Sequence, residues 1–341
     1  METASTLPGL RAAQDICHGG RLSEARALFP HAPEPFIDLS TGLNPIAYPV
    51  PELPLEAWHR LPEPEAIAAL EAQAARTYGV ADPEAVVATP GTQILISLLP
   101  YIFPARSVAI LGPTYGEYAS AWAAGDARVQ EVDRLELLID ADIAVLCNPN
   151  NPDGRRLGAD TILDLLRKRG GRGLLMVDEA FADLEDPSLS VALRLPQDGL
   201  LVLRSLSKGY GLGGLRLGFA LAAPAFTSRI RKSLGPWQVS GPAIAIGAAA
   251  LVDKDWRERA RARAQNDVAR LDLLLQAAGL TVLGGTLLFR LAQNETAPAL
   301  FTRLGEAGLF VRRFDRRPDW LRFGIPGNEE AWSRLAAALG G

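Results

Sequence analysis

The sequence predicts an α/β protein, with a large domain on a mostly parallel mixed sheet and a smaller α+β domain. Three features point there. At 341 residues the chain exceeds the size at which one hydrophobic core usually stops growing. From Asp82 onward, short and nearly continuous apolar runs alternate with helical stretches, the pattern of strands buried on both faces between helices. After Pro242 the order changes to a long helix followed by short strands and two further helices. The expected organisation is an N-terminal segment, residues 1–45, packed with the small domain, then a large domain, 46–240, and a small C-terminal domain, 241–341.

The first sixty residues are proline-rich and read as irregular; Ala32-Pro33-Glu34-Pro35 and Tyr48-Pro49-Val50-Pro51 favour extended or turn backbone. Glu63–Tyr78 has an alanine-rich helical pattern, ended by Gly79. Strands are expected at Ala85–Thr89, Val108–Leu111, Val129–Val132, Ile143–Cys147, Leu174–Val177, Leu200–Leu203 and Leu215–Leu221, with helices at Thr92–Pro100 and Asp160–Arg169. Ser240–Val252 is apolar but too short to span a bilayer, and reads as a buried helix. A long helix follows at Trp256–Ala278. Strands near Leu287–Leu291, Leu309–Arg313 and Leu321–Phe323 and helices at Pro298–Ala307 and Glu329–Leu339 complete the chain.

Composition narrows the function. Apolar residues make up 48% and charged residues 22%, values of a folded globular protein. A net charge of −4 gives no reason to expect a nucleic-acid partner. The cysteines are Cys17 and Cys147, too few for a disulfide framework and too far apart for zinc, so no metal site is expected and a reducing compartment fits. Met1–Leu10 shows no signal-peptide pattern and no segment reads as a membrane span; a cytoplasmic location is expected. His18, His31 and His59 lie far apart, against histidine-based nucleophilic chemistry.

In parallel sheets ligands bind beyond the carboxyl ends of the strands. There the sequence places Pro90-Gly91-Thr92-Gln93, glycine and hydroxyl at a helix start, where anions bind but where threonine is also an ordinary cap. Asn148-Pro149-Asn150-Asn151-Pro152 is either a proline-stiffened turn or a donor to a ligand oxygen. Asp178, in Asp178-Glu179-Ala180-Phe181, is either a helix cap or an acid aimed at a ligand. Lys208, in Ser205-Leu206-Ser207-Lys208-Gly209, is either a solvated lysine or an amine that forms an imine with a carbonyl cofactor. Arg216 follows eight residues later, a cation beginning an apolar strand, which calls for an anionic partner.

Taken in order, these motifs resemble the fold-type I pyridoxal 5′-phosphate (PLP) enzymes of the aspartate aminotransferase superfamily, over about Asp38 to Gly327. The resemblance implies that Lys208 holds PLP as a Schiff base and later moves the substrate proton, that Asp178 pairs with the ring nitrogen, and that Tyr115 stacks on the ring. It implies that Asn151 donates to the ring oxygen and that Gly91, Thr92, Ser205, Ser207 and Arg216 cradle the phosphate, with Gln93 beside them. Arg322 would hold the substrate carboxylate. It also implies a homodimer. Two departures stand out: Phe181 occupies a place where tyrosine is common, and Leu61 the place of a tyrosine that reaches the partner's phosphate.

Two short branches are most similar. One transaminates histidinol phosphate; the other decarboxylates L-threonine O-3-phosphate in cobalamin biosynthesis. Cys17-His18-Gly19-Gly20, Asp38-Leu39-Ser40-Thr41-Gly42-Leu43-Asn44-Pro45 and Phe181 resemble the decarboxylating branch more closely. That likeness adds Gly42 and Asn44 to the substrate-binding candidates and asks for a second anion site, for which His18, Arg155, Arg312 and Arg313 are candidates. The expected partner is thus a small phosphorylated amino acid.

Overall fold

Strand formation follows the apolar runs, and the computed structural model describes residues 19–340; Cys17 and His18 lie outside them. Twelve strands occur among the described residues: β1 (Ile37–Leu39), β2 (Val86–Thr89), β3 (Ser107–Leu111), β4 (Arg128–Val132), β5 (Ile143–Cys147), β6 (Leu174–Asp178), β7 (Leu200–Ser205), β8 (Gly218–Ala222), β9 (Thr281–Thr286), β10 (Phe289–Gln293), β11 (Leu309–Arg313) and β12 (Trp320–Gly324). They form two sheets.

The larger sheet has the order β2-β8-β7-β6-β5-β3-β4. Its neighbours pair in parallel except around β8, which runs antiparallel to β2 and β7. Alternation splits each strand between two cores. Ala144, Leu146, Leu175 and Val177 face one core, shared with the helices Pro64–Tyr78 and Gly241–Val252. Ile143, Val145, Leu174 and Met176 face the other, shared with the helices Thr92–Ile102 and Glu117–Ala124. Burial on both faces explains why the central strands read as unbroken apolar runs.

Two strands depart from expectation. β4 is not buried on both faces: it is the sheet edge, and Arg128, Gln130 and Glu131 are exposed. Charges on an edge discourage pairing with another chain. The strand expected from Leu215 begins at Gly218, because Gly213–Leu215 forms a 3-10 turn and Arg216 takes a left-handed backbone, φ 53°, which no strand accommodates.

The smaller sheet has the order β1-β11-β12-β10-β9, with β1 parallel to β11 and the other pairs antiparallel. The N-terminal region is therefore not irregular throughout: it carries the helix Leu22–Leu28 and β1. With only three residues, β1 is too short to show an alternation. β9 went unread because Gly284 and Gly285 dilute its apolar pattern, and β10 begins two residues later than expected. The helix Lys254–Ala277 spans both cores, burying Trp256, Ala260 and Ala264 with the large sheet and Val268, Leu271 and Leu275 with the small one. Among the described residues no helix is long and apolar enough to cross a membrane.

Candidate active site

A cavity of about 480 Å³ opens at the carboxyl ends of β5, β6 and β7, and residues from both sheets line it. The large sheet supplies Thr92, Gln93, Tyr115, Asn151, Asp178, Ser205, Ser207, Lys208 and Arg216; the small sheet and its N-terminal strand supply Gly19, Ser40, Gly42 and Arg322.

Lys208 follows β7, whose pairing with β6 sets Leu203 opposite Asp178. Its ammonium lies 5.4 Å from the centre of the Phe181 ring. Burial pushes the amine down to about 8; Arg322 and Arg216 push the same way and Asp178 opposes them. A lysine so placed is neutral, hence nucleophilic, far more often than a solvated one.

Asp178 ends β6, buried. One carboxylate oxygen closes its own turn, accepting from the Ala180 N–H at 2.9 Å; the other accepts from the Tyr118 hydroxyl at 2.8 Å. Burial raises its pKa, while Tyr118, Ala180 and Lys208 oppose that shift. Tyr118 went unrecognised in the sequence. Its signal was the i, i+3 spacing from Tyr115, which puts both rings together as the helix starts. The rings meet edge-on, with centres 6.3 Å apart. The Tyr115 hydroxyl donates to Gln93 Oε1 at 2.9 Å, and Gln93 Nε2 donates to Glu117 at 3.3 Å, so Gln93 orients the tyrosine.

The turn after β5 divides its asparagines. Asn148 bonds both backbone groups of Leu157 or its neighbourhood, accepting from Leu157 N–H at 2.8 Å and donating to Leu157 O at 3.0 Å. Asn150 donates to Pro113 O at 2.9 Å and accepts from the Thr114 hydroxyl at 2.6 Å. Asn151 lines the cavity and accepts from Arg322 Nη1 through Oδ1, which leaves its Nδ2 as the donor toward a ligand. Asn148 and Asn150 thus stiffen the turn, while Asn151 faces the cavity.

At the other end of the cavity Arg216 lies over the start of the helix Thr92–Ile102. A Cβ on Gly91, whose φ is 84°, would sit 2.5 Å from Arg216 Nη2, so only glycine leaves room for the guanidinium. Arg216 Nη1 donates to Gly213 O at 2.9 Å and approaches Ser207 Oγ at 3.5 Å. Ser205 Oγ accepts from the Ser207 N–H at 3.2 Å. A cation against the positive end of a helix is unfavourable until an anion lies between them. This end therefore fits a phosphate group, and the buried acid and low-pKa lysine fit a pyridine ring carrying a carbonyl.

The small-sheet wall centres on Arg322, on β12. It is buried; Nη2 donates to Ser40 O at 2.7 Å, and Nε has no partner. Burial pushes it down to about 9, Arg312 adds to that, and Asp38 opposes. Arg312 stands directly opposite on β11, and its Nη1 is also buried without a partner. Two neighbouring guanidinium groups with unsatisfied N–H groups call for an anion from outside the chain.

Three substrate candidates do not belong to this wall. Arg155 donates to Gly112 O and Leu111 O, both at 3.2 Å, and braces the end of β3. Arg313, one residue beyond Arg312, projects to the other side of β11, stacks 5.0 Å from the Phe301 ring centre and lines a separate groove. Asn44 does not line the cavity: its N–H donates to Lys208 O and its Nδ2 to Gly209 O, both at 2.9 Å, so it holds the lysine loop. His18 lies outside the described residues. Among the described residues no cluster of His, Cys, Asp or Glu could hold a metal ion.

Known proteins resemble this chain over most of its length. The model of the aminotransferase class I and II family matches residues 50–339. A threonine-phosphate decarboxylase from a Sinorhizobium species is 44% identical over 331 residues, 95% of this chain and 97% of the relative. Another from Pseudomonas aeruginosa is 38% identical, over 94% of this chain and 96% of the relative. The structure of a histidinol-phosphate aminotransferase from Sinorhizobium meliloti in complex with pyridoxal-5′-phosphate superposes with a TM-score of 0.76 at 23% identity, over 83% of this chain and 82% of that one. The chain belongs to the aminotransferase class I and II family.

Proposed function

We propose that the protein is a PLP-dependent decarboxylase that converts L-threonine O-3-phosphate to (R)-1-amino-2-propanol O-2-phosphate for cobalamin biosynthesis. The observation that carries this reading is the Arg312–Arg322 pair, a half-buried and a buried cation paired across β11 and β12, each with one buried N–H group that has no partner. A substrate with a carboxylate and a phosphate supplies an anion for each. The 44% and 38% identical relatives bear the same activity in their names.

When bound, PLP supplies an electron sink for the pair left on Cα as CO₂ departs. Lys208 anchors the cofactor in the resting enzyme and then stands ready to give Cα its proton. Asp178, kept in place by Tyr118 and Ala180, holds a proton at the ring nitrogen. Asn151 Nδ2 would donate to the ring oxygen, and Tyr115 would pack against the ring. Gly91, Thr92, Ser205, Ser207 and Arg216 take the cofactor phosphate. Arg322 would orient the substrate carboxylate, and Arg312, its strand partner, would take the substrate phosphate. Phe181 lines the cavity and has no hydroxyl to offer the ring oxygen.

The protein acts in the cytoplasm as a homodimer. Val50, Leu55, Trp58 and Leu61 are 57%, 67%, 63% and 63% exposed along a short stretch of chain, an apolar surface of the kind that associates. A second copy is its occupant; sedimentation giving a monomer at micromolar concentration would overturn this. Of the N-terminal segment, residues 19–45 join the C-terminal part in the smaller domain, a reading supported by β1 pairing with β11. The burial of Gly241–Val252 with the large sheet supports a domain boundary in the following helix rather than at residue 241.

The test is incubation with L-threonine O-3-phosphate and no oxo-acid. Decarboxylation gives sustained CO₂ release over many turnovers with the cofactor spectrum retained. One turnover that leaves the cofactor in its amine form identifies an aminotransferase instead.

A further inference from the structure

Behind the cavity wall lies a group of buried charges that the proposed chemistry does not use. Strand alternation sends Asp178 and Ser205 into the cavity, and their neighbours Glu179 and Arg204 to the other side of the sheet. Arg204 Nη1 donates to Glu179 Oε2 at 2.8 Å, and Nη2 donates to Asp183 Oδ1. The arginine side chain is 6% exposed, those of Glu179 and Asp183 0% and 2%. Its guanidinium also covers the Tyr78 ring, 4.4 Å from the centre.

These partners are the neighbours of the catalytic groups. β6 and β7 pair in register only as far as Asp178 and Leu203, and the last backbone bond between them is Glu179 N–H to Leu203 O at 2.9 Å. Beyond that point the two chains separate, one toward Ala180 and Phe181, the other toward Ser207 and Lys208. Arg204 spans the gap. Glu179 directly follows Asp178. Asp183 packs against Gly209, which directly follows Lys208: a Cβ on Gly209 would lie 2.7 Å from Asp183 Cβ. Glu179 is fixed in turn by the Val191 N–H, at 2.7 Å.

Buried ion clusters of this kind contribute little net stability against an apolar replacement of equal volume, whereas they do define one geometry. A planar fork is required, since only a guanidinium reaches two carboxylates at fixed angles.

We infer that Arg204, through Glu179 and Asp183, is a positioning residue that sets the distance between the Asp178 carboxylate and the Lys208 amine. The inference rests on the PLP-dependent reading of the site. Arg204→Lys keeps the charge and loses the fork. The holoenzyme of this variant, normalised for bound cofactor, is expected to show kcat lowered about 10- to 100-fold with KM within about threefold, as loss of alignment gives. A second readout needs no turnover: the pH midpoint of the absorbance of the lysine-bound cofactor, which reports the field of Asp178, Arg216 and Arg322 at Lys208. It should move by about half a unit or more. Glu179→Gln, which keeps shape and removes one charge, should move both readouts in the same direction by less. If Arg204→Lys fails to fold, Glu179→Gln carries the test alone. Wild-type kcat and an unmoved midpoint in the folded variant would overturn the inference. A wild-type enzyme that binds no PLP would overturn the reading beneath it, a result distinguishable because it appears before any substitution.

Discussion

The two walls of the cavity are built on different principles. On the large-sheet wall the functional groups sit at strand ends or helix starts and are held by bonds already made within the chain: Asp178 by Tyr118 and Ala180, Tyr115 by Gln93, and the Lys208 loop by Asn44 of the N-terminal segment. On the small-sheet wall Arg322, and beside it on β11 its strand partner Arg312, each retain one buried N–H group without a partner. One wall is satisfied before any ligand arrives, apart from the phosphate end under Arg216; the other is completed only by substrate. The contrast teaches where binding energy is spent: a preorganised wall serves the reaction, and an unsatisfied wall selects the molecule.

The comparison breaks most visibly at Lys208. Lys208→Ala should lower activity by about 10⁴-fold or more, the combined loss of anchor and proton donor. Borohydride reduction and peptide mapping should place the pyridoxyl group on Lys208; finding it on Lys168, Lys232 or Lys254 would remove the lysine from this role. Asp178→Asn comes next, with kcat reduced about 10²- to 10³-fold, KM changed little and the fold retained. An unchanged kcat would leave Asp178 as no more than the acceptor that closes its own turn.

Substitutions on the other wall should act on KM. Arg322→Met should raise KM about 30- to 100-fold while PLP stays bound, and Arg312→Met should raise it about 10- to 30-fold for threonine phosphate but hardly at all for threonine. Equal effects on both substrates would take the phosphate contact away from Arg312. Loss of PLP from either variant would mean that the walls do not divide the work.

The same division governs how much the sequence disclosed. The parallel strands, their order of polar residues and the cofactor groups were legible because each lies at a fixed place after a buried apolar run. Lys208, Asp178, Asn151 and Arg216 could be named this way, and the resemblance supplied their roles. The small-sheet wall was harder. Arg312 and Arg313 differ by one position, and a strand turns neighbouring side chains to opposite faces, so their roles depend on a phase that five residues do not reveal. Arg155 looked like a ligand cation, but its partners are backbone carbonyls that any sequence provides. Asn44 was recognised as important yet assigned to substrate, because its partner, the Lys208–Gly209 backbone, is far away in the chain. Tyr118 needed only closer attention to helical spacing.

The walls also interact electrically, and this effect should be the smallest. On the proposed reading, Lys208 must lose its proton before it can attack the cofactor carbonyl. Its amine is pushed down from the ordinary lysine value of 10.5 to about 8, by burial first and by the charge of Arg322 next. The rate of PLP capture by the apoprotein should therefore rise with pH up to about 8 and then level off, rather than climbing toward 10.5. Removing the Arg322 charge takes away a group that disfavours the ammonium, so the protonated form becomes easier to hold and the amine's pKa rises. Arg322→Met should shift the capture profile toward higher pH, and Arg312→Met should leave it nearly in place, since burial, Arg322, Arg216 and Asp178 are what act on Lys208. Stopped-flow absorbance of PLP binding across pH 6 to 10, roughly two units either side of the expected midpoint, measures this directly. A profile unmoved by Arg322→Met would show that burial and Arg216 depress the lysine without Arg322, and that the small-sheet wall does not tune the amine across the cavity.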